Sequence, residues 1–167
     1  NRFFTVIQYC IDMARTLQEL ARVLRPGGRA VFIVGYESKV LGASFYNADI
    51  VERIACDLEM FDLVLRQKRA FRNRFGQEIR EDILNLTRKA YSNGGDLATT
   101  VGQNVALAAL ESATATVSPK NQGLLAHAVS GARSIDGTPL FDSTSYSNYQ
   151  TREYVMMVKE EEEDYNG

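Results

Sequence analysis

Apolar residues at the start of the chain are separated by three or four positions. They are Val6, Cys10, Met13, Leu17, Leu20 and Leu24. This spacing places them on one face of an α-helix and leaves most of the charged residues on the other. Pro26 cannot continue a helix, and Gly27 and Gly28 tolerate a positive φ. The sequence therefore predicts that the helix ends at Pro26 and that the chain reverses at Gly27 or Gly28.

Residues 29–35, RAVFIVG, form a short and almost continuous apolar run. Such a run is typical of a strand covered on both faces, so Ala30–Val34 is predicted to be a central, buried strand. Any α/β protein can contain this helix-to-strand corner. Because open α/β sheets bind ligands at the carboxyl ends of their strands, the following residues could border a substrate pocket or form a solvated loop. The pocket candidates are Tyr36, Glu37, Ser38, Phe45, Tyr46 and Asn47.

A second helix is predicted after this loop, with Asn47 as its N-cap and Asp49 in its first turn. Its buried face would contain Ile50, Val51, Ile54, Ala55 and Leu58. Residues 61–71 alternate between apolar and polar side chains, which predicts a strand near a sheet edge. Residues 76–86, GQEIREDILNL, suit either a short helix or a strand.

Residues 92–118 are rich in Ala, Thr, Ser and Gly, and two helices are predicted within 104–117 and 118–132. A polar loop would lead to a final strand at 151–159 and an acidic tail at 160–167. The alternation of apolar residues predicts that Arg152–Lys159 pairs antiparallel with Phe61–Arg69. The order of elements indicates an α/β fold whose open sheet has an antiparallel end.

The formal net charge of −2 means that any binding of nucleic acid requires a local basic patch. One candidate patch has five cations within nine residues, interleaved with Phe71 and Phe75. Its cations are Arg66, Lys68, Arg69, Arg72 and Arg74. Arginine binds phosphate and aromatic rings stack on bases, although charge also protects the edge strand of an ordinary sheet.

The cysteines, the histidine and the apolar runs of the chain argue against a disulfide, a metal site and a membrane span. Cys10 and Cys56 are predicted to be buried, reduced thiols, and His127 a packed or half-exposed helix residue rather than a catalytic base. The isolated histidine and the two distant cysteines argue against a metal site. No apolar run approaches the roughly 20 residues of a membrane span, so a cytoplasmic location and no membrane partner are expected.

The helix, the turn RVLRPGG, the buried strand, the next helix and strand, and the terminal strand together resemble the C-terminal half of a class I S-adenosylmethionine-dependent methyltransferase. In that family a VLKPGG turn precedes the fifth strand, and the last two strands form an antiparallel pair. The resemblance covers residues 6–71 and 151–159. It implies a Rossmann-like sheet (C-terminal portion) with a helical, Ala/Ser/Thr-rich insertion. The implied segments are core at 1–91, insertion at 92–150, final core strand at 151–159 and tail at 160–167.

Within this family the chain is most similar to prokaryotic DNA amino-methyltransferases, which implies S-adenosylmethionine as cofactor and DNA as partner. The chain contains no G-x-G and no Pro-Pro, although the family binds its cofactor and the target amino group with such motifs. The cofactor is therefore expected to be bound mainly by sequence outside this chain, and the catalytic residues are not assigned.

The chain would then be a piece of a longer enzyme, one subunit of a split enzyme, or a degenerate relative. It starts at Asn1, inside an apolar pattern, which favours the first two. Expected partners are the missing N-terminal half or a complementary subunit, or a second copy bound through an exposed sheet edge. Alternative functions are a non-catalytic binding or assembly module, or a methyltransferase that acts on RNA, protein or a small molecule.

Overall fold

The predicted first helix is present in the computed structural model, which describes residues 1–90 and 97–133. This helix, α1, spans Phe4–Val23 and is capped at Leu24, two residues before Pro26. Its predicted apolar face lies in the protein core, with Val6, Cys10 and Leu17 fully or almost fully buried. The spacing of three and four residues was therefore sufficient to identify both the helix and its buried side.

The corner after α1 has the predicted geometry. Gly27 has a φ of 76°, which confirms a left-handed residue in the turn. The turn is tied to a distant strand by two backbone hydrogen bonds: the Gly27 N–H donates to the Arg88 carbonyl at 2.9 Å, and the Arg88 N–H donates to the Gly28 carbonyl at 2.8 Å. A Cβ on Gly28 would lie 2.8 Å from the Arg25 carbonyl oxygen, so both glycines are needed here for different reasons.

Replacing Gly27 by alanine is expected to lower the free energy of unfolding by about 1 kcal/mol, because a side chain is strained at positive φ. Chemical denaturation of the two proteins measures the difference. Gly35→Ala is the matched control: the nearest atom to its new Cβ is the Asn47 side-chain nitrogen at 3.8 Å, and its φ is not in the left-handed region. Equal losses in the two variants would contradict the role of positive φ.

Five strands and a helix follow the corner. Strand β1 spans Arg29–Gly35, β2 spans Ser38–Val40 and β3 spans Ala43–Phe45. Helix α2 spans Asn47–Asp57, and the two long strands are β4, Phe61–Arg72, and β5, Glu78–Arg88. Strands β1, β4 and β5 form an antiparallel sheet in the order β1-β5-β4, and β2 pairs with β3 in a separate hairpin. The fold of the described residues is thus mixed α/β.

The prediction that Ala30–Val34 is a central, buried strand was wrong. In the part of the chain that the structure describes, β1 is an edge strand that pairs only with β5. Its inner face, with Phe32, packs against the core, whereas Val31 and Ile33 on the outer face are 57% and 54% exposed. An uninterrupted apolar run shows that neither face is polar, but it cannot show whether a second layer covers both faces.

The partner of β4 also differs from the prediction. Strand β4 pairs along its length with β5, from Phe61 opposite Arg88 to Arg72 opposite Glu78. Residues 78–88 belong to the segment whose pattern suited either a helix or a strand. The predicted partner, Arg152–Lys159, lies outside the described residues, as does the acidic tail. Among the described strands, the last two nevertheless form an antiparallel pair.

Two helices complete the described chain and extend the core. Helix α3 spans Ala98–Ala113 and packs on α1, and α4 spans Pro119–Arg133 and packs on α3. Both helices were predicted, including Pro119 at the start of the second. Their buried residues join the same cluster as those of α1. The segment boundaries at 92, 150 and 159 remain predictions.

Candidate nucleic-acid interface

Asn47 organises the carboxyl end of β1. Its side-chain amide donates to the Gly35 carbonyl at 2.8 Å and its side-chain oxygen accepts from the Ser38 hydroxyl at 3.0 Å. Asn47 was predicted to be the N-cap of α2, but it is the first residue of the helix. The N-cap is Tyr46, whose side chain makes no capping hydrogen bond. Because its side-chain amide holds the loop after β1, Asn47 is a positioning residue of this region.

Two aromatic rings meet at this end of the sheet. The rings of Tyr36 and Tyr46 contact each other edge to face, with centroids 5.4 Å apart, and the Lys68 ammonium lies 6.0 Å from the Tyr36 ring centroid. Tyr36 is held by its backbone N–H, which donates to the Arg80 carbonyl at 2.9 Å. The structure thus brings two of the predicted pocket residues together with a cation, an arrangement that suits a planar, electron-rich or anionic ligand.

The other pocket candidates have more local roles. Phe45 is buried and belongs to the core. Glu37 accepts a hydrogen bond from the Ser44 hydroxyl and lies 3.9 Å from the Lys39 ammonium. Whether these residues border a substrate pocket remains a prediction. Phe45 holds β3 in the core, and the hydrogen bond between Ser44 and Glu37 joins β3 to the residue before β2.

The first cation of the predicted patch, Arg66, faces acidic residues. Its Nη1 donates to Asp49 at 2.6 Å and to Glu52 at 3.1 Å, while Nε and Nη2 approach the two oxygens of Asp82 at 3.4 Å each. Asp82 is fully buried. Burial alone lowers the pKa of Arg66, but the hydrogen bonds to the three carboxylates outweigh it and raise the pKa above the ordinary arginine value. With three acidic partners, Arg66 is poorly suited to contact phosphate, and we do not retain it in the interface.

A β-bulge explains the position of Arg66. The register of β4 against β5 shifts between Leu63 and Leu65, so one residue is inserted at Val64. A slip of one residue sends the following side chains to the opposite faces of the sheet. Leu65 is therefore exposed, and Arg66 takes the inner position that strict alternation would give to an apolar residue.

The remaining cations of the patch differ in how well they are neutralised. Arg69 forms an ion pair with Glu81. Lys68 lies opposite Asp82 in the strand register, but its ammonium is directed towards the Tyr36 ring. Arg72 and Arg74 have no carboxylate partner among residues 1–90 and 97–133. The basic character of the patch is thus concentrated towards the turn between β4 and β5.

Asn73 shapes this turn, and its role was not predicted. Its side-chain oxygen accepts from the N–H groups of Phe75 at 2.9 Å and Gln77 at 3.0 Å, and its own N–H donates to the Gln77 carbonyl at 2.9 Å. Gly76 supplies a φ of 78°. The letters NRFG between two strand-forming segments carry the turn signal, since Asn and Gly both favour tight turns.

The histidine and the cysteines of the described residues lie outside this end of the sheet. His127 is exposed on α4, and its ring contacts the Phe4 ring edge to face with centroids 5.5 Å apart, as expected for a half-exposed helix residue. Cys10 is buried, and burial raises the pKa of its thiol to about 12, whereas Cys56 is exposed, contrary to prediction, because it lies on the outer side of α2. Within the described residues no group of three potential ligands could hold a metal ion, and no helix is long and apolar enough to span a membrane.

Three carboxylates that follow β1 in the chain accept hydrogen bonds from other side chains. Glu37 accepts from Ser44, and Asp49 and Glu52 accept from Arg66. The sequence contains no G-x-G motif that could form a cofactor-binding loop. We therefore derive no catalytic step through S-adenosylmethionine.

Comparisons with family models, with curated proteins and with solved structures find no match to this chain. The resemblance to methyltransferases therefore remains a prediction that rests on the residues of the chain. These are the turn from Arg25 to Gly28, the order of elements around it, and the aromatic and basic side chains beyond β1.

Proposed function

We propose that this chain is the C-terminal part of an S-adenosylmethionine-dependent methyltransferase that modifies DNA bases, with the cofactor-binding and catalytic motifs outside the chain. The observation that carries the proposal is the path of the chain through its corner. The turn Arg25–Gly28 leads into β1, which ends at Gly35, and the next residue, Tyr36, lies beside Tyr46 and Lys68. The antiparallel pair of β4 and β5 also suits the family, whose last two strands pair in this way.

The open outer edge of β1 supports the proposal that a missing half of the sheet pairs with this chain. Tyr36 and Gly28 form hydrogen-bonded pairs with β5. Because bonding alternates along an antiparallel strand, Arg29, Val31 and Ile33 direct their backbone N–H and C=O groups away from β5. No described strand binds these groups. A Rossmann-like sheet cut before its fifth strand would end with such an open edge.

The roles of this chain in such an enzyme concern position rather than proton transfer. S-adenosylmethionine would supply the methyl group, and sequence outside the chain would hold it. The Tyr36 and Tyr46 rings would contact the DNA near the target base, and Asn47 would fix the loop that carries them. Lys68 would add a positive charge beside the rings. Correct placement of the reacting atoms accounts for much of the rate of a transfer reaction.

The test begins with the reading frames adjoining this one. A glycine-rich loop followed by an amino-methyltransferase signature, in the same chain or an adjacent one, would identify the missing half. The two parts, produced together, should transfer the tritium-labelled methyl group of S-adenosylmethionine to DNA and not to RNA. Transfer to RNA or protein, or adjoining frames without such motifs, would contradict the proposal.

The isolated chain is expected to show no binding of S-adenosylmethionine by calorimetry at micromolar concentrations. The reason is that the chain contains no G-x-G motif, with which the family binds this cofactor. The complex with the missing half, titrated under the same conditions, is the positive control. Micromolar binding by the 167-residue chain alone would mean that it contains a complete cofactor site, and the assignment of cofactor binding to the missing half would be wrong.

A second candidate function is a non-catalytic assembly module. The observation that favours it is the exposed apolar outer face of the sheet, where Val31, Ile33, Val64 and Leu65 are all about half exposed or more. Apolar patches of this kind mark protein interfaces. Stable complex formation without methyl transfer to any substrate would favour this module over the enzyme.

A further inference from the structure

The hairpin of β4 and β5 extends beyond the rest of the sheet. The last residue of β1, Gly35, lies opposite Glu81. Beyond it, the Tyr36 N–H still donates to the Arg80 carbonyl, and β4 and β5 otherwise pair with each other within the described sheet. Residues 70–80 thus form a two-stranded ribbon that ends in the turn at 73–77. A two-stranded antiparallel ribbon is one of the elements that the major groove of B-form DNA can admit.

The charges on this ribbon favour a polyanion. It carries Arg72, Arg74 and Arg80, against the single carboxylate of Glu78, which forms an ion pair with Arg80. Arg72 and Arg74 have no such partner in the described structure, and the whole chain has a net charge of −2. The positive charge is therefore local, which is the condition that an acidic protein must meet to bind nucleic acid.

The tip of the ribbon holds an aromatic ring out in solvent. Phe75 is 72% exposed, and the Arg74 guanidinium lies 4.6 Å from its ring centroid. The turn itself is fixed by the hydrogen bonds to Asn73 and by Arg72, whose Nη1 donates to the Gly76 carbonyl at 3.1 Å. The Phe75 ring contributes nothing to the core, and the hydrogen-bonded turn leaves it available for contact with a partner.

We propose that this ribbon, residues 70–80, enters the major groove of duplex DNA and reads base edges with its tip. Arg74 donates to the acceptors of guanine, Phe75 contacts the methyl group of thymine, and Arg72 binds a backbone phosphate. The inference rests on the proposed function, because it takes DNA as the substrate. It goes further by naming the element that recognises the duplex and the two side chains that contact bases.

Fluorescence anisotropy with a mixed-sequence DNA duplex, the RNA duplex of the same sequence and one DNA strand tests the proposal on the full chain. The DNA duplex should bind most tightly, since the major groove of an RNA duplex is too deep and narrow to be read by side chains. Phe75→Ala and Arg74→Ala should each weaken duplex binding on the order of tenfold. Arg72→Ala should also lower the slope of log affinity against log salt by about 0.9.

Two chemical changes in the DNA assign the contacts. Uracil in place of thymine removes the methyl groups and should weaken binding by the native chain but not by Phe75→Ala. Likewise, 7-deazaguanine removes the N7 acceptor and should weaken the native chain but not Arg74→Ala. The matched control is Arg22→Ala, which removes one exposed cation from α1, near the opposite end of β1. It should leave the affinity unchanged.

Circular dichroism and thermal unfolding should match the native chain for Phe75→Ala, Arg74→Ala and Arg22→Ala, because these side chains are exposed. Arg72→Ala also loses the hydrogen bond to the Gly76 carbonyl, so it should keep the native circular dichroism spectrum but unfold at a slightly lower temperature. The proposal is overturned if the native chain does not bind the DNA duplex, if RNA or single-stranded DNA binds as tightly, or if Phe75→Ala and Arg74→Ala bind like Arg22→Ala. None of these results would change the measurement of methyl transfer to DNA by the reconstituted enzyme. Failure of the ribbon proposal is therefore distinct from failure of the proposed function.

Discussion

Replacing Arg66 by methionine is expected to lower the free energy of unfolding by about 3–5 kcal/mol. The guanidinium is the cation that faces the fully buried Asp82, and it also bridges Asp49 and Glu52 on α2. Without it, Asp82 remains as a buried charge and the three carboxylates repel one another. Urea denaturation at neutral pH measures the loss.

Two further variants separate the buried charge from the general loss of a cation. Arg69→Met removes a cation of the same strand whose partner, Glu81, is 20% exposed and not fully buried, and it should cost at most about 1 kcal/mol. The double variant Arg66→Met/Asp82→Leu replaces the pair by apolar side chains and should recover most of the stability. If Arg66→Met costs no more than Arg69→Met, Arg66 does not compensate a buried charge.

The position of Arg66 shows where the sequence pattern was insufficient. From the sequence, Phe61, Leu63 and Leu65 share one face of a strand and Arg66 belongs to the other, next to the basic residues that follow. The bulge after Leu63 reverses this arrangement, and no letter in the segment marks it, since a bulge can accept an ordinary valine. The predicted basic patch therefore included a residue that holds the fold together.

Local chemistry was a better guide than burial. Pro26 and the two glycines identified the corner, and the five apolar residues predicted for the buried face of α2 are all buried. These features depend on backbone geometry and on one helix. The exposure of Val31 and Ile33 depends instead on whether another layer covers the sheet, and the pairing of β4 depends on residues 78–88 forming a strand, which their pattern left open between helix and strand. The same holds for the candidate interface. The position of Tyr36 at the end of β1 could be predicted from the sequence, whereas the ribbon exists because β4 pairs with β5, which could not.

The packing of α3 on α1 depends on a glycine for which the sequence predicted no role. A Cβ at Gly102 would lie 2.6 Å from the Ile11 Cα and 2.8 Å from the Ile11 nitrogen, both backbone atoms of α1. The buried residues Ala98 and Ala106 lie four positions before and after it, so a row of small residues lets the two helices approach closely. No rotation of a side chain can relieve a clash with backbone, and the helices must move apart.

Gly102→Ala is therefore expected to lower the free energy of unfolding by about 2 kcal/mol: overpacking costs up to about 3 kcal/mol, and alanine returns about 1 kcal/mol of helix propensity. Gly123→Ala, within α4, is the matched control, because its new Cβ would meet no atom within 4 Å. That variant should gain about 0.5–1 kcal/mol, so the two changes, identical in chemistry, should have opposite signs in thermal or urea denaturation. A stabilised Gly102→Ala would mean that α3 does not pack closely on α1, and that residues 98–113 can move away from the core without cost, as expected of an insertion rather than of an integral helix.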